Sequence, residues 1–492
     1  MRYGPRRKVR MVILVAGLLL GGVGPVLPHA RADGGTRTER PNFVFILVDD
    51  MRWDVMSCAG HTFVRTPNID RIAASGVRFA NAFVTTSLCS PSRASFLTGT
   101  HPDTHGVRWN GKKVEPGPAT PTFPQLLQAA GYQTGYVGKW HMAADSNPRP
   151  GFDYWLSFEL QGEYIDPELN ENGRVFVKKG YMTDILTDYA LEFLKKQGDQ
   201  PFCLYLSHKA MHADFIPAER HKDLYAPSDL IEPPSYRDDL SGKPRWQRER
   251  VLRGGRLQRP APPGGIPDAL PVADWDPHSV INQRRLDWHR TLAAVDEGVG
   301  AVLDLLAARG WADNTVVIFA GDNGFFLGEH HDLSDKRLAY EESIRVPLLA
   351  CGPGVEAPGR VVPEMVLNID VAPTLLELAG VAVPPVMQGR SLRPLFAGER
   401  AEWRKSFFYK YFKEDWLPGV PTIEAVRTEQ FKYIRSPEID DIEELYDLKR
   451  DPFEMRNLAR DPSAQDVLAR MRAEMERLRP QTQLPGGAGA GT

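Results

Sequence analysis

Cysteine is scarce in this chain: 492 residues hold four, Cys58, Cys89, Cys203 and Cys351. Thiols that sparse and scattered exclude a disulfide-built fold, and none share the spacing of a zinc-binding pair. No Asn-x-Ser/Thr acceptor site occurs, which leans towards a bacterial exported protein over a glycosylated lysosomal one. An excess of one charge is also missing. The net charge of -3 sets up no field for nucleic acid or an anionic membrane surface, so basic residues must matter locally if they matter at all. Internal repeats are absent. The apolar run at residues 11–26 falls short of the roughly 20 residues that span a bilayer.

What is present is enough to build a large core. At 42% hydrophobic content the chain is expected to hold more than one domain. Its start reads as a processing signal: Arg2, Arg6, Arg7, Lys8 and Arg10 precede the apolar run, and Ala30-Arg31-Ala32 supplies a small-residue cleavage site before Asp33. Residues 1–32 are therefore expected to be a signal peptide, leaving an exported, periplasmic or secreted protein with no stable membrane span. Glycines and Pro25 weaken the rival reading of an uncleaved anchor, and Arg6-Arg7 hints at a twin-arginine signal.

Apolar runs and helical periods then alternate. Residues 43–48 (FVFILV) form a run of buried-strand type that ends directly in Asp49-Asp50. Thr66-Pro67 opens a short helix through Ala74, stopped by Gly76. Pro91 is placed to start a helix through Leu97, which puts residue 89 at a helix N-terminus, where backbone N–H groups favour anions. Residues 122–130 read as a helix closed by Gly131, followed by strand 132–137. Helical periodicity at 181–196 precedes an apolar strand at 202–206. A long amphipathic helix at 286–308 ends at Gly310, and strand 315–320 (TVVIFA) runs into Gly321-Asp322-Asn323-Gly324. This alternation predicts an α/β fold with a doubly wound, mostly parallel sheet flanked by helices, ligands gathering beyond the carboxyl ends of its strands.

Residues 225–277, rich in Pro and Arg, are too long for a simple connector and are either a functional insertion or partly disordered. From about residue 381 to 480 the pattern changes to a smaller α+β unit. It has aromatic strands around Phe407-Phe408-Tyr409 and Phe431-Lys432-Tyr433-Ile434, a segment at 444–448 and a helix at 464–478. The glycine-rich residues 486–492 are expected to be disordered.

Asp49, Asp50, Asp322 and Asn323 would meet at strand ends. Crowded carboxylates resist burial unless a cation compensates, and hard oxygen ligands favour Ca²⁺ or Mg²⁺ over zinc. A lone Asp-Asp after a strand is equally a turn or a helix cap. Lys139 and His141, in Gly138-Lys139-Trp140-His141, alternate along an extended segment and can enter one cleft. Taken singly, they read as well as a surface turn. His212 follows another strand, and Lys336 precedes Tyr340-Glu341-Glu342-Ser343; singly they read as a loop histidine and a solvated helix charge.

Cys89-Ser90-Pro91-Ser92-Arg93 joins these pieces. Followed after four residues by Thr98-Gly99, it gives C-x-P-S-R-x4-T-G, which resembles the segment that sulfatases present to the enzyme converting a cysteine to formylglycine. The matching blocks run from Asn42 to about Gly380, including the stretch from Lys336 through Arg345-Val346-Pro347. Glu444-Leu445-Tyr446-Asp447-Leu448 with Asp451-Pro452 resembles the end domain of the same family, within the alkaline-phosphatase-like superfamily. One stretch departs: where the family often has a glycine after the histidine, this chain reads His330-His331-Asp332-Leu333-Ser334, which puts the substrate rim in doubt there.

The resemblance implies a catalytic domain at 40–380 and a metal site of Asp49, Asp50, Asp322, Asn323 and modified Cys89, holding Ca²⁺ or Mg²⁺. It further implies a formylglycine at residue 89 that hydrates to a diol, attacks sulfur and later expels sulfate as the carbonyl reforms. Arg93 would hold the nucleophile segment, Lys139 bind sulfate and His141 take the diol proton. His212 with Lys336 would bind sulfate oxygens and help protonate the leaving oxygen. The implied partners are a formylglycine-generating enzyme during maturation and a sulfated carbohydrate or other small sulfate ester. The segment at 208–221 resembles the branch acting on sulfated amino sugars, the N-acetylglucosamine-6-sulfatase type. The rivals are a phosphodiesterase or phosphonate monoester hydrolase on the same scaffold, and a non-catalytic carbohydrate-binding relative.

Overall fold

The FVFILV run lies at the heart of the main sheet. A computed structural model describes residues 40–111, 119–253 and 265–483; the expected signal peptide, residues 254–264 of the expected insertion and the tail at 486–492 lie outside the described residues. Strand β1 (Asn42–Val48) is buried throughout. Alternate side chains of a strand face opposite ways. Val44, Ile46 and Val48 join a core with Trp288, Leu292 and Val295 of the helix Val280–Ala308, whereas Phe43, Phe45 and Leu47 join another with Phe96, Phe123 and Leu375. Both faces being covered by helices, the run is continuously apolar rather than alternating.

Among the described residues nine more strands join the sheet: β2 (Val77–Phe83), β3 (Gln133–Gly138), β4 (Tyr154–Ser157), β5 (Glu168–Glu171), β6 (Arg174–Val177), β7 (Phe202–Ser207), β8 (Thr315–Gly321), β9 (Leu348–Cys351) and β10 (Arg360–Leu367). Their order is β10-β2-β9-β8-β1-β7-β3-β4-β5-β6. Pairing is parallel through the centre, from β8 to β4, and between β10 and β2; β9 runs antiparallel to both its neighbours, as does β5. The expected α/β sheet is thus present, with antiparallel additions outside its centre. The long helix starts at Val280 rather than 286, because the Ser279 hydroxyl caps it by accepting the Asn282 N–H at 3.2 Å.

The C-terminal part builds a separate antiparallel sheet from β11 (Ser406–Tyr411), β12 (Ile423–Thr428), β13 (Phe431–Arg435) and β14 (Glu444–Asp447). One face packs Phe408, Val426, Tyr433 and Leu445 against Leu468, Met471 and Met475 of the helix Gln465–Leu478. The other joins Tyr409, Tyr411 and Tyr446 to Leu88, Tyr340 and Ile344, beside the expected nucleophile segment. The described part of 225–277 is folded. Its helix Arg245–Leu252 sends Gln247 Nε2 to the Tyr340 hydroxyl at 2.9 Å and to Glu444 at 3.2 Å. Among the described residues no helix is long and apolar enough to cross a membrane.

Candidate active site

Four adjacent parallel strands, β8, β1, β7 and β3, deliver most of the site from their carboxyl ends. Val48 is in register with Gly321, and both Leu47 and Gly138 pair with Ser207, so the residues that follow emerge at one level. They are Asp322 and Asn323 after β8, Asp49 and Asp50 after β1, the segment to His212 after β7, and Lys139 and His141 after β3. Backbone bonds extend the register one residue further: Asp322 N–H donates to Val48 O at 3.0 Å, and Lys139 N–H to Ser207 O at 2.8 Å. Gly138 is required there. Its φ is +123°, and a Cβ would lie 1.8 Å from Ser207 O.

The helix Cys89–Thr98 brings the expected nucleophile to these strand ends, with all ten residues buried. Cys89 occupies its first turn, where the partial positive charge of free N–H groups favours an anion. The thiol donates to Asp49 Oδ1 at 3.4 Å, and the Lys336 ammonium approaches Sγ at 3.0 Å. Lys139 lies 4.0 Å from Sγ and donates to Asp49 Oδ2; Lys336 donates to Asp50 Oδ1. Arg93, four residues along, points the same way. Its Nε reaches Asp322 Oδ2 at 2.9 Å, and its Nη1 donates to Lys139 O at 2.7 Å and to Ser207 Oγ at 2.6 Å. His212 Nδ1 faces Ala213 O at 2.8 Å, leaving Nε2 3.9 Å from Asp50. Asn323 donates to Asp50 Oδ1 at 2.6 Å. All the residues singled out in the sequence therefore converge on one place.

Its electrostatics are those of a cation site. Burial opposes ionisation of Asp49, yet Lys139 and Arg93 hold its carboxyl well below the usual carboxylate range. Burial lifts Asp50 against the pull of Lys336, and burial followed by Asp49 lifts Asp322 to about 7 despite Arg93. Oxygens of Asp49 and Asp322 lie with Cys89 Sγ within 4.8 Å of one another. Among the described residues nothing donates to Asn323 Oδ1, a buried acceptor. Carboxylates forced towards protonation beside an orphaned carbonyl oxygen fit a hard divalent cation, Ca²⁺ or Mg²⁺. Burial, with Asp49, pushes the Cys89 thiol up to about 12, so an unmodified cysteine here is a neutral thiol and a poor nucleophile. Burial, then Lys139, keeps His141 and His212 neutral, well below the usual histidine range.

A family model described as Sulfatase matches residues 41–381. The chain belongs to the sulfatase family. Its activity class is sulfuric ester hydrolysis. A second model, N-sulphoglucosamine sulphohydrolase, C-terminal, matches residues 328–481. An N-acetylglucosamine-6-O-sulfatase of Bacteroides thetaiotaomicron is 35% identical over 468 residues, spanning 86% of this chain and 83% of its own. The human N-acetylglucosamine-6-sulfatase is 29% identical over 511 residues, 93% of this chain and 86% of its own. Among solved structures, an enzyme in complex with its substrate D-glucosamine-2-N,6-O-disulfate superposes with a TM-score of 0.79 at 32% identity, covering 90% of this chain and 98% of that one. A phosphonate monoester hydrolase of Agrobacterium radiobacter, TM-score 0.73 at 24% identity over 90% of this chain and 96% of its own, shares the fold.

Several residues around the sulfatase site carried no signal in the sequence. Gln161, in a turn after β4, reaches both Lys139 and His141. The Tyr164 hydroxyl donates to His212 O at 2.7 Å and lies under Lys209, whose ammonium is 4.7 Å from the ring centroid. Trp416 is 65% exposed, yet its indole N–H donates to Glu414 at 2.9 Å and its ring lies over Arg337, next to Lys336. None of these lies in a motif. In the departing loop His330, His331 and Asp332 all have positive φ, a strained stretch for residues with side chains, and Lys336 still reaches the thiol.

Proposed function

We propose that this protein hydrolyses the sulfate monoester of a sulfated amino sugar, of the N-acetylglucosamine-6-sulfate type, to the alcohol and inorganic sulfate, using Cys89 after conversion to formylglycine. The observation that carries this reading is the placement of Cys89 at a helix N-terminus, 3.0 Å from Lys336 and against Asp49, with its thiol pushed up to about 12. So placed, the residue is useless as a thiol and well placed as an oxygen nucleophile. The identity and coverage of the glucosamine-sulfatase relatives support the substrate class.

A hydrated formylglycine supplies an attacking oxygen and a second hydroxyl whose deprotonation expels sulfate. Asp49, Asp50, Asp322, Asn323 and residue 89 would hold a divalent cation, which when bound would neutralise charge on the sulfuryl group. Lys139 and Lys336, which sit on carboxylates in the resting site, offer ammonium donors to an arriving sulfate. Arg93 anchors the helix segment to the β7 and β8 ends. His141, neutral, is the base for the residue 89 hydroxyl, and His212 carries the proton to the leaving oxygen. An anionic substrate favours the protonated imidazole that this second role needs. We include in the proposal export after cleavage of residues 1–32, maturation by a formylglycine-generating enzyme and a domain boundary near residue 381.

Release of sulfate from glucosamine-6-sulfate derivatives, read by ion chromatography, tests the reading. Cys89→Ala should abolish turnover, whereas His212→Ala should retain a residue of it, a lost proton transfer being worth about 10²–10⁴-fold. Comparable residual rates in the two variants would sink the covalent scheme. Mass analysis of the residue 89 peptide from active protein should find an aldehyde in place of the thiol.

A further inference from the structure

We propose that Gln161 is a positioning residue of this site, holding His141 in the tautomer whose Nε2 carries no hydrogen and can act as the base. The inference rests on the sulfatase reading above. Gln161 lies in the turn that follows β4, where Leu160 has φ +46° and Gly162 has φ +60°. Gly162 N–H donates to Glu159 O at 3.0 Å, and a Cβ on Gly162 would come within 2.4 Å of the buried Phe158 ring, so the turn is tightly seated. From it the carboxamide spans two side chains of the site: Oε1 accepts from Lys139 Nζ, and Nε2 lies 3.1 Å from His141 Nε2.

Hydrogen-bond chemistry fixes the orientation. An ammonium only donates, so the amide oxygen must face Lys139, and the NH₂ must then face the imidazole. An NH₂ group only donates to such a partner, so His141 Nε2 must be bare and the ring hydrogen must sit on Nδ1. Among the described residues His141 Nδ1 is buried without a hydrogen-bond partner, so none of them directs the choice from that side. The His141 backbone is held independently: its φ is +57°, and the Ser90 hydroxyl donates to its carbonyl. Gln161 thus selects the proton position on a ring whose place is already set. It also gives the Lys139 ammonium an uncharged acceptor that an anionic sulfate displaces readily, and the carboxamide that leaves Lys139 then frees the Nε2 lone pair of His141 for the incoming proton.

Two near-isosteric variants separate this role from a structural one. Gln161→Met removes both hydrogen bonds and lets the tautomers interchange, and kcat should fall between about 10- and 100-fold, with KM for a sulfated sugar changing less. Gln161→Glu keeps the acceptor for Lys139 but can only accept from the ring, which forces the hydrogen onto Nε2 and caps the base. Its kcat at saturating substrate should be lower than that of Gln161→Met. Nitrogen-15 spectra of the imidazoles, assigned with His141→Ala, should place the ring hydrogen on Nδ1 in wild type and on Nε2 in Gln161→Glu, with or without turnover. Gln161 is half-buried on a surface turn, so thermal midpoints should agree among the three proteins. A Glu variant as fast as the Met variant, or an unchanged His141 spectrum, overturns the role of Gln161 while the sulfatase reading stands. A wild type that releases sulfate from no sulfate ester overturns both.

Discussion

Asp322 offers a direct test of whether the acidic cluster is built for a cation. Its carboxyl is fully buried, and burial followed by Asp49 lifts it to about 7 from an ordinary 3.8. Where the folded value exceeds the unfolded one, the native state binds the extra proton between the two. In cation-free protein, the stability present below about pH 4 is therefore lost as the pH rises to about 7. At about 1.4 kcal/mol per pH unit, the loss comes to about 4 kcal/mol. With unfolding entropy near 2 cal/mol/K per residue, a chain of 492 residues translates this into a fall of roughly 4 °C in thermal midpoint. Asp322→Asn cannot ionise and should lack that part of the slope. The measurement is scanning calorimetry of both proteins in chelator across pH 4.5 to 7.5, repeated with Ca²⁺. Calcium replaces the proton, so it should flatten the wild-type slope and stabilise the protein by about 2.7 kcal/mol at 100-fold excess over Kd, a rise of roughly 3 °C in midpoint. Identical slopes in the two chelated proteins, or a wild-type midpoint that ignores Ca²⁺, would refute the reasoning.

Two further substitutions probe the frame and the rim. Arg93→Met leaves Asp322 buried without its guanidinium and should cost about 3–5 kcal/mol in chelated protein; Arg93→Lys, keeping charge but not the fork to Ser207 and Lys139 O, should fall between, and equal midpoints for all three would deny the anchor. Trp416→Ala removes an exposed aromatic face pinned by Glu414 and Arg337. A lost stack of about 1 kcal/mol should lower kcat/KM on a sulfated sugar about fivefold. A short alkyl sulfate, too small to reach the indole, should be unaffected, and an equal fall on both substrates would deny the stack.

How much of this was legible in the sequence depended on how locally each feature is encoded. The runs of β1, β7 and β8 announce themselves because burial on both faces demands continuous apolar residues, and Asp49, Asp322 and His212 sit at or shortly after their ends. The sequence does not state that β8, β1, β7 and β3 are neighbours in that order, which is what turns separate strand ends into one site. Short strands such as β4, β5, β6, β9 and β12 were missed, since four to six residues carry little period and their pairing is decided by distant partners. Gln161, Tyr164 and Trp416 were missed for a related reason: each owes its place to a turn or subdomain packed from elsewhere.

The departure at His331, the residue after His330, meets the 225–277 segment: His331 Nδ1 lies 3.0 Å from Asp238 O. A glycine would take the left-handed backbone there at little cost; this chain instead holds His331 at φ +68°, beside His330 at φ +48° with its ring buried. Such a ring needs packing and hydrogen-bond partners. Tyr340 stacks on it at 4.1 Å, Asp238 meets Nδ1 at 3.2 Å, and Lys243 lies at 3.2 Å with its ammonium 4.1 Å over the Tyr340 ring. Asp238 and Lys243 both come from the 225–277 segment, and Lys243 also donates to Glu454 O at 2.8 Å in the C-terminal part. The segment thus contacts both histidines, and it ties the loop bearing Lys336 to the C-terminal sheet. Loop and segment thus hold one another, and Lys336 Nζ lies 3.0 Å from Cys89 Sγ.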